Sequence, residues 1–234
     1  MLPPFVMPQP ERPSKDARES FSQARESEPI GRRMAKRLGT ALKIVALIFV
    51  LTLARSTLAD QYHVPTGSMW PTIEPGDRIF VAKVAYGLRV PFTNMYLFDR
   101  GGPAPGDVVV FGDPRGGPIP LVKRVVATEG QTVSVRSGIL YIDGNAQPIE
   151  RLDDGRLLEH LGSHAHESGG RDFEDYGPVV VPAGHMFVMG DNRPASLDSR
   201  MMGTVPRELV RGQVLGVLFR GESLDFDRVF QSIE

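Results

Sequence analysis

The 234-residue sequence contains no cysteine and a single tryptophan. The absence of cysteine excludes disulfide bridges, thiol nucleophiles and cysteine-ligated metal sites. The sequence also lacks the G-x-S-x-G, H-E-x-x-H and S-x-x-K signatures of common hydrolases. By contrast, its 25 glycines and 20 prolines are too many for a helical bundle. We therefore expect a turn-rich, mostly β fold.

A net charge of −1 hides an uneven distribution of charge along the chain. Residues 1–59 carry 10 basic and 5 acidic side chains, whereas residues 60–234 carry 17 and 23. The part expected to fold has no basic footprint, which argues against a nucleic-acid partner. Residues 1–37 begin with several prolines and show no apolar periodicity, so we expect a disordered, basic tail there.

The stretch 38–59 is the best candidate for a membrane segment. Its uninterrupted apolar run, Ile44 to Ala54, has 11 residues, fewer than the ~20 that cross a bilayer. The whole stretch reaches 22 residues with two charges. We interpret it as a transmembrane anchor, with a cleaved signal peptide or a buried soluble helix as alternatives. The preceding basic residues predict a cytoplasmic N-terminus and place residues 60–234 outside.

From residue 60 onward, short apolar runs alternate with Gly, Pro and Asp, which is typical of strands. A polar stretch over about 146–177 holds three of the five histidines, so we expect an insertion outside the core. Its His164 and His166 fit a metal site or a solvated loop, and the lack of a third ligand at fixed spacing favours the loop. Strands are predicted near 78–84, 107–112, 121–128, 131–136, 139–142, 179–182, 186–189 and 213–219.

Three segments carry residues suited to catalysis. Ser68 lies in a Gly- and Pro-rich turn shortly after the apolar stretch, and is either a turn residue or a nucleophile. Lys123 shares one face of a predicted strand with apolar residues. It is either an edge-strand gatekeeper or a desolvated amine that acts as a base. A polar loop over 190–200 contains Asp198 and Arg200, which are able to brace each other.

Together these segments resemble the bacterial type I signal peptidases. The resemblance is carried by P-T-G-S-M-W-P-T around Ser68, by K-R-V from Lys123, and by G-D-N-R followed by S-L-D-S-R in the loop at 190–200. It covers about residues 38–219. It implies an antiparallel β catalytic core with a variable second β lobe, into which 143–178 fits, preceded by one transmembrane helix.

The resemblance also assigns roles to individual residues. Ser68 would be the nucleophile and Lys123 the general base of a Ser/Lys dyad. The Thr66 hydroxyl and the Ser68 backbone N–H would form the oxyanion hole. Ser196 would hold the Lys123 amine. A supporting ion pair would join Asp198 and Arg200.

The implied activity is that of a serine endopeptidase anchored in the bacterial cytoplasmic membrane, which removes N-terminal signal peptides through an acyl-enzyme. Its substrates would be preproteins with small residues at −1 and −3. Its other partners would be the lipid bilayer and the export machinery. No metal or cofactor is expected. Another Ser/Lys peptidase is an alternative, but a self-cleaving repressor would need a DNA-binding domain that 1–37 is too short to supply. A catalytically silent scaffold conflicts with the intact Ser68 and Lys123.

Overall fold

The computed structural model describes residues 30–89, 96–153, 156–162, 164–170 and 174–219. The chain divides into two units, Met1–Thr52 and Leu53–Glu234. Most of the tail predicted over 1–37 lies outside the described residues.

One long helix, α1 (Ile30–Leu58), spans 29 residues. It begins earlier than expected, because residues 30–37 are mostly Arg, Lys, Ala and Met, which favour helix. The last eight residues assigned to the tail are thus helical. In the described part of the chain, no helix combines the length and apolar character needed to cross a membrane.

The second unit is built mainly of strands. In chain order they are β1 (Ala59–His63), β2 (Arg78–Ala82), β3 (Gly87–Arg89), β4 (Tyr96–Asp99), β5 (Val108–Phe111), β6 (Leu121–Thr128), β7 (Thr132–Arg136), β8 (Ile139–Ile142), β9 (Asn145–Ala146), β10 (Ile149–Arg151), β11 (Leu157–Leu161), β12 (His164–Ser168), β13 (Tyr176–Val180), β14 (His185–Met189), β15 (Val205–Pro206) and β16 (Val210–Phe219). A short helix, α2 (Ser199–Met202), and two 3₁₀ turns, Arg193–Ala195 and Arg207–Leu209, complete the described elements.

The described strands form antiparallel sheets. The composition predicted a mostly β fold, and the family resemblance implied the antiparallel pairing. The main sheet has seven strands in the order β1-β2-β16-β5-β6-β14-β15. Smaller sheets have the orders β13-β7-β8-β9, β10-β11-β12 and β3-β4. All eight predicted strands are present, with ends that differ by at most a few residues.

Three buried apolar clusters stabilise the second unit. Every residue of β5 is buried, because alternate side chains of its Val-Val-Val-Phe run enter different clusters. The cluster that reaches the serine turn, here the second cluster, contains Val64, Met69, Ile73, Ile79, Val81, Val108, Val110 and Val214. Another joins β6 and β14 to β7 and β8. Lys123 therefore lies on a well-packed sheet, and the turn that carries Ser68 is packed against it.

The expectation that 146–177 lies outside the core is wrong. Three strands of this segment pair with one another as β10-β11-β12. Alternation in β11 buries Leu157, Glu159 and Leu161, and Leu161 joins the cluster formed with β6 and β14. The many charges concealed this pattern, because only every second residue of β11 faces inward.

We predict that Leu161→Ala destabilises the protein by about 2–5 kcal/mol, because it leaves a cavity in a fully buried cluster. Urea unfolding of the purified protein measures the loss. Leu158→Ala on the same strand is the matched control, since Leu158 is only half-buried and should cost clearly less. Equal effects of the two substitutions would contradict a core role for this segment.

Candidate active site

Ser68 lies on the turn that connects β1 to β2. Its neighbour Met69 is fully buried in the second cluster and anchors the turn to the sheet. The Trp70 N–H donates to the Gly67 carbonyl at 3.1 Å, which closes the turn around the serine. The Ser68 side chain is half-buried. A fixed backbone thus presents a hydroxyl that solvent still reaches.

Lys123 projects from the middle of β6 and is only 3% exposed. Its Nζ lies 2.7 Å from Ser68 Oγ and donates to the Val122 carbonyl at 2.8 Å. Burial lowers the pKa of Lys123 to about 8, although the carboxylates of Asp198 and Asp191 act in the opposite direction. A sizeable fraction of this amine is therefore neutral near pH 8.

This arrangement brings together the two residues that the motifs paired. A neutral amine within hydrogen-bonding distance of a hydroxyl is able to accept its proton, and the hydroxyl oxygen then becomes a nucleophile. The alternative of an edge-strand gatekeeper is wrong, because β6 lies between β5 and β14 inside the main sheet. The amine is buried because its strand is central.

The neighbouring Arg124 is also buried, which the period-2 pattern did not predict. Its guanidinium binds Asp191 through two bonds of 2.9 and 2.8 Å and donates to the Gly106 carbonyl at 2.8 Å. The Thr72 hydroxyl donates to the same carboxylate at 2.6 Å. Although burial opposes it, Arg124 helps hold the pKa of Asp191 below its usual range. A charged pair thus connects β6, the serine turn and the loop after β14.

The G-D-N-R loop (residues 190–193) packs directly against the serine turn. The Asn192 N–H donates to the Ser68 carbonyl at 3.1 Å, and its side-chain amide donates to the Gly67 carbonyl at 2.9 Å. A Cβ at Gly190 would collide with the Ser68 carbonyl and with the Ser196 hydroxyl. Glycine is required here because the two backbones approach so closely.

The expected ion pair between Asp198 and Arg200 is present. Two bonds of 2.8 Å join the guanidinium to the carboxylate, which is fully buried. Asp198 also accepts the Gly190 N–H at 3.0 Å and lies at the N-terminal end of α2. Arg200 donates to the Arg193 carbonyl at 2.7 Å. The pair therefore fastens both ends of the loop.

Ser196 does not make the bond that the resemblance implied. Its hydroxyl is buried and has no hydrogen-bond partner among the described residues, while the Lys123 amine binds Ser68 and Val122. The Ser196 hydroxyl lies against the Gly190 backbone instead. Thr66, two residues before Ser68, is exposed.

The motifs did not predict a second buried cluster of charged residues, which lies behind the G-D-N-R loop. Arg193 is 2% exposed and binds the Glu159 carboxylate with both terminal nitrogens, one of them at 3.0 Å. His166 Nε2 lies 3.3 Å from the same guanidinium. The interpretation of His166 as a solvated loop residue is therefore wrong, since it is 1% exposed. One feature of the sequence could have indicated that Glu159 is buried: at every second position of β11 it shares a strand face with Leu157 and Leu161.

The chain is similar to several known proteins. Residues 37–219 match the family described as signal peptidase, peptidase S26. A Signal peptidase I from Pseudomonas aeruginosa is 35% identical over 194 residues, covering 73% of this chain and 68% of that protein. A Signal peptidase I from Bacillus licheniformis is 35% identical over 180 residues, covering 75% of this chain and 84% of that protein. A solved signal peptidase I from Enterococcus faecalis V583 shares 30% identity at a TM-score of 0.37, over 47% of this chain and 95% of that chain.

The family match covers most of the chain. The chain belongs to the signal peptidase family. As a member of peptidase S26 it is an enzyme, a hydrolase that removes signal peptides. The resemblance drawn from the motifs is confirmed, and a catalytically silent scaffold is no longer supported.

We predict that Asp198→Asn lowers the pKa of Lys123 in this signal peptidase below about 8, because the Asp198 carboxylate acts to raise it. The lysine side-chain resonance in a pH titration by NMR measures the change. Asp113→Asn is the matched control: Asp113 pairs with the exposed Arg115 and should leave the titration of Lys123 unchanged. An unchanged or raised pKa in folded Asp198→Asn protein would refute this electrostatic account.

Proposed function

We propose that this signal peptidase is a membrane-anchored serine endopeptidase that cleaves signal peptides from exported preproteins with a Ser68/Lys123 dyad. The observation that carries the proposal is the 2.7 Å distance between Ser68 Oγ and the Nζ of a buried lysine. Burial lowers the pKa of that lysine to about 8, so it does not need a third residue to lose its proton.

Neutral Lys123 accepts the hydroxyl proton as Ser68 Oγ attacks the scissile carbonyl. The tetrahedral intermediate then collapses, the C–N bond breaks, and Lys123 returns the proton to the leaving amine. Neutral Lys123 next takes a proton from water, which attacks the acyl-enzyme ester. In the second collapse the bond to Ser68 Oγ breaks and Lys123 returns its proton to this oxygen, which restores the serine hydroxyl. The signal peptide leaves as a carboxylic acid that ionises in solvent. The rate rises with pH through the Lys123 pKa of about 8, because only the unprotonated amine is a base.

The oxyanion of each intermediate is stabilised by the Ser68 N–H and the Thr66 hydroxyl. Thr66 lies on the same turn as Ser68 and is exposed toward solvent, where a substrate carbonyl would approach. One such donor typically contributes about 10²–10³ in rate. Asp198 and Arg200 support the site by fastening the G-D-N-R loop, and Ser196 lies beside Gly190 at its edge.

Attachment to the cytoplasmic membrane is the second part of the proposal. Helix α1 carries exposed apolar side chains, among them Leu38, Leu42 and Phe49 at 66–73% exposure. Basic residues precede the apolar stretch 38–59, which favours a cytoplasmic N-terminus and an extracytoplasmic catalytic domain. That location suits preproteins delivered by the export machinery. We propose small residues at −1 and −3 of these substrates from the family resemblance.

Replacing either member of the dyad should abolish processing. We predict that Ser68→Ala and Lys123→Arg both lose preprotein cleavage, because alanine has no nucleophile and a guanidinium stays protonated. Gel analysis of a preprotein incubated with detergent-solubilised enzyme measures the loss. Ser134→Ala and Lys36→Arg are matched controls that should keep wild-type turnover. An active Lys123→Arg enzyme would require another base, with His63 and His185 as the candidates.

The proposed topology predicts a specific pattern of proteolysis. Protease added to intact spheroplasts should digest residues 60–234 and spare a tag at the N-terminus, because the bilayer shields the cytoplasmic side. Immunoblotting with antibodies against the tag and the catalytic domain measures both fragments. Lysed spheroplasts are the control, in which the tag should also be digested. Loss of the tag with protection of the catalytic domain would invert the topology.

A further inference from the structure

The sheet β10-β11-β12 buries charged groups at the back of the catalytic loop. Glu159 on β11 and His166 on β12 are each 1% exposed, although both lie in a segment rich in surface charge. The neighbouring Glu150 and Arg151 on β10 are exposed. The sheet thus carries charged side chains on its exposed side and also buries charged side chains on its inner side. Burying a charge costs free energy, so a segment with a purely structural role would not need these inner charges.

The partner of Glu159 is Arg193, the last residue of the G-D-N-R loop. The guanidinium uses both terminal nitrogens on the carboxylate, and its Nε donates to the Gly190 carbonyl at 3.1 Å. Although burial raises it, Arg193 and His166 hold the pKa of Glu159 at about 2. Glu159 is therefore ionised at every pH at which the enzyme would work. Arg193 is locked between the lobe and the first residue of its own loop.

His166 lies within the same buried cluster. Its Nε2 lies 3.4 Å from the Glu159 carboxylate and 3.7 Å from the Asp191 carboxylate, and burial lowers its pKa. The four charges around it belong to Arg124, Asp191, Arg193 and Glu159, two of each sign. The two positive and two negative charges balance each other, which reduces the cost of burying them.

The G-D-N-R loop connects this charge cluster to the turn that carries Ser68. The Gly169 N–H, just after β12, donates to the Asp191 carbonyl at 2.8 Å, so the lobe also holds the loop through its backbone. Asn192, between Asp191 and Arg193, binds the carbonyls of Gly67 and Ser68. Glu159 is therefore connected to the backbone that carries Ser68 Oγ by its bonds to Arg193, the peptide linkage from Arg193 to Asn192, and the hydrogen bonds of Asn192.

We propose that Glu159 is a positioning residue of the peptidase reaction, which acts through Arg193 to hold Asn192 against the serine turn. The inference rests on the proposed role of Ser68. The variable lobe thereby contributes to the geometry of catalysis from outside the sequence motifs. Because Glu159 is buried beneath the loop and faces Arg193, its loss should reduce turnover and leave substrate binding almost unchanged.

The test compares Glu159→Gln with Glu150→Gln, the same substitution at an exposed position of the adjacent strand. Full-length enzyme in detergent micelles cleaves a synthetic peptide with alanine at −1 and −3, and kcat is expressed per folded enzyme. Glu159→Gln should lower kcat about 10- to 100-fold, the scale of a small misplacement of a catalytic group, with KM within about twofold. Glu150→Gln should match the wild type.

A double-substitution cycle with Asn192→Ala distinguishes positioning from general destabilisation. If Glu159 acts through Asn192, the double variant should lose no more kcat than the more damaged single variant. Independent, multiplying losses would overturn the proposal, and so would wild-type kcat in folded Glu159→Gln enzyme.

Glu159→Asp provides the same test if Glu159→Gln does not fold. It keeps the charge that Arg193 needs and withdraws the carboxylate by one methylene. A reduced kcat that is again non-additive with Asn192→Ala supports the proposal, whereas wild-type turnover overturns it. Ser68→Ala in the same assay distinguishes a failure of the proposed dyad from a failure of the proposed positioning role. A cleaving Ser68→Ala enzyme would refute the dyad, whereas an inert Ser68→Ala beside a fully active Glu159→Gln would refute only the positioning role.

Discussion

The desolvation of the Lys123 amine is the constraint on which the rest of the site depends. A lysine on an edge strand would remain solvated and protonated, whereas the centre of the main sheet lowers the pKa of this amine to about 8. Two carboxylates, those of Asp191 and Asp198, lie near enough to oppose the shift. Each of them is bound by a guanidinium of its own, from Arg124 and Arg200. This pairing weakens their pull on the amine, so desolvation prevails.

The same pairing explains why the loop is rich in charge. An unpaired Asp191 beside Lys123 would stabilise the ammonium form and remove the base. Arg124 prevents this because it follows Lys123 on β6 and reaches the loop from within the sheet. The K-R pair and the G-D-N-R loop are thus two parts of one electrostatic arrangement, even though 67 positions separate Arg124 from Asp191.

Local sequence patterns predicted much of the fold and the centre of the site. Apolar runs bounded by glycine and proline located five of the seven strands of the main sheet but missed β1 and β15. The ends of β6, and of β8 in a smaller sheet, agree with the prediction. The family motifs brought Ser68 and Lys123 together. Period-2 alternation also predicted a buried cation on β6, but it could not show that Arg124 is buried as well. That depends on Asp191, which no local pattern links to β6.

The same limitation explains the errors. Segment 146–177 has too few apolar residues to read as a sheet, and its inward residues include Glu159 and His166, whose partners lie elsewhere in the chain. The implied bond from Ser196 to Lys123 depends on the side-chain packing around Gly190, where the hydroxyl lies against the loop backbone. Spatial partners of buried polar groups are settled by tertiary packing, which a single sequence does not display.

Buried ion pairs rarely add net stability, because removing two charges from water costs about as much as their attraction returns. The free energy that favours folding must therefore come mainly from the apolar clusters on either side of the main sheet. What the pairs add is geometry, since bidentate guanidinium–carboxylate contacts fix direction as well as distance. Here the ion pairs of Arg124, Arg193 and Arg200 fix the loop at 190–200, and that loop binds the backbone of Ser68. A half-buried nucleophile is thereby kept 2.7 Å from its base by ion pairs that are largely shielded from solvent.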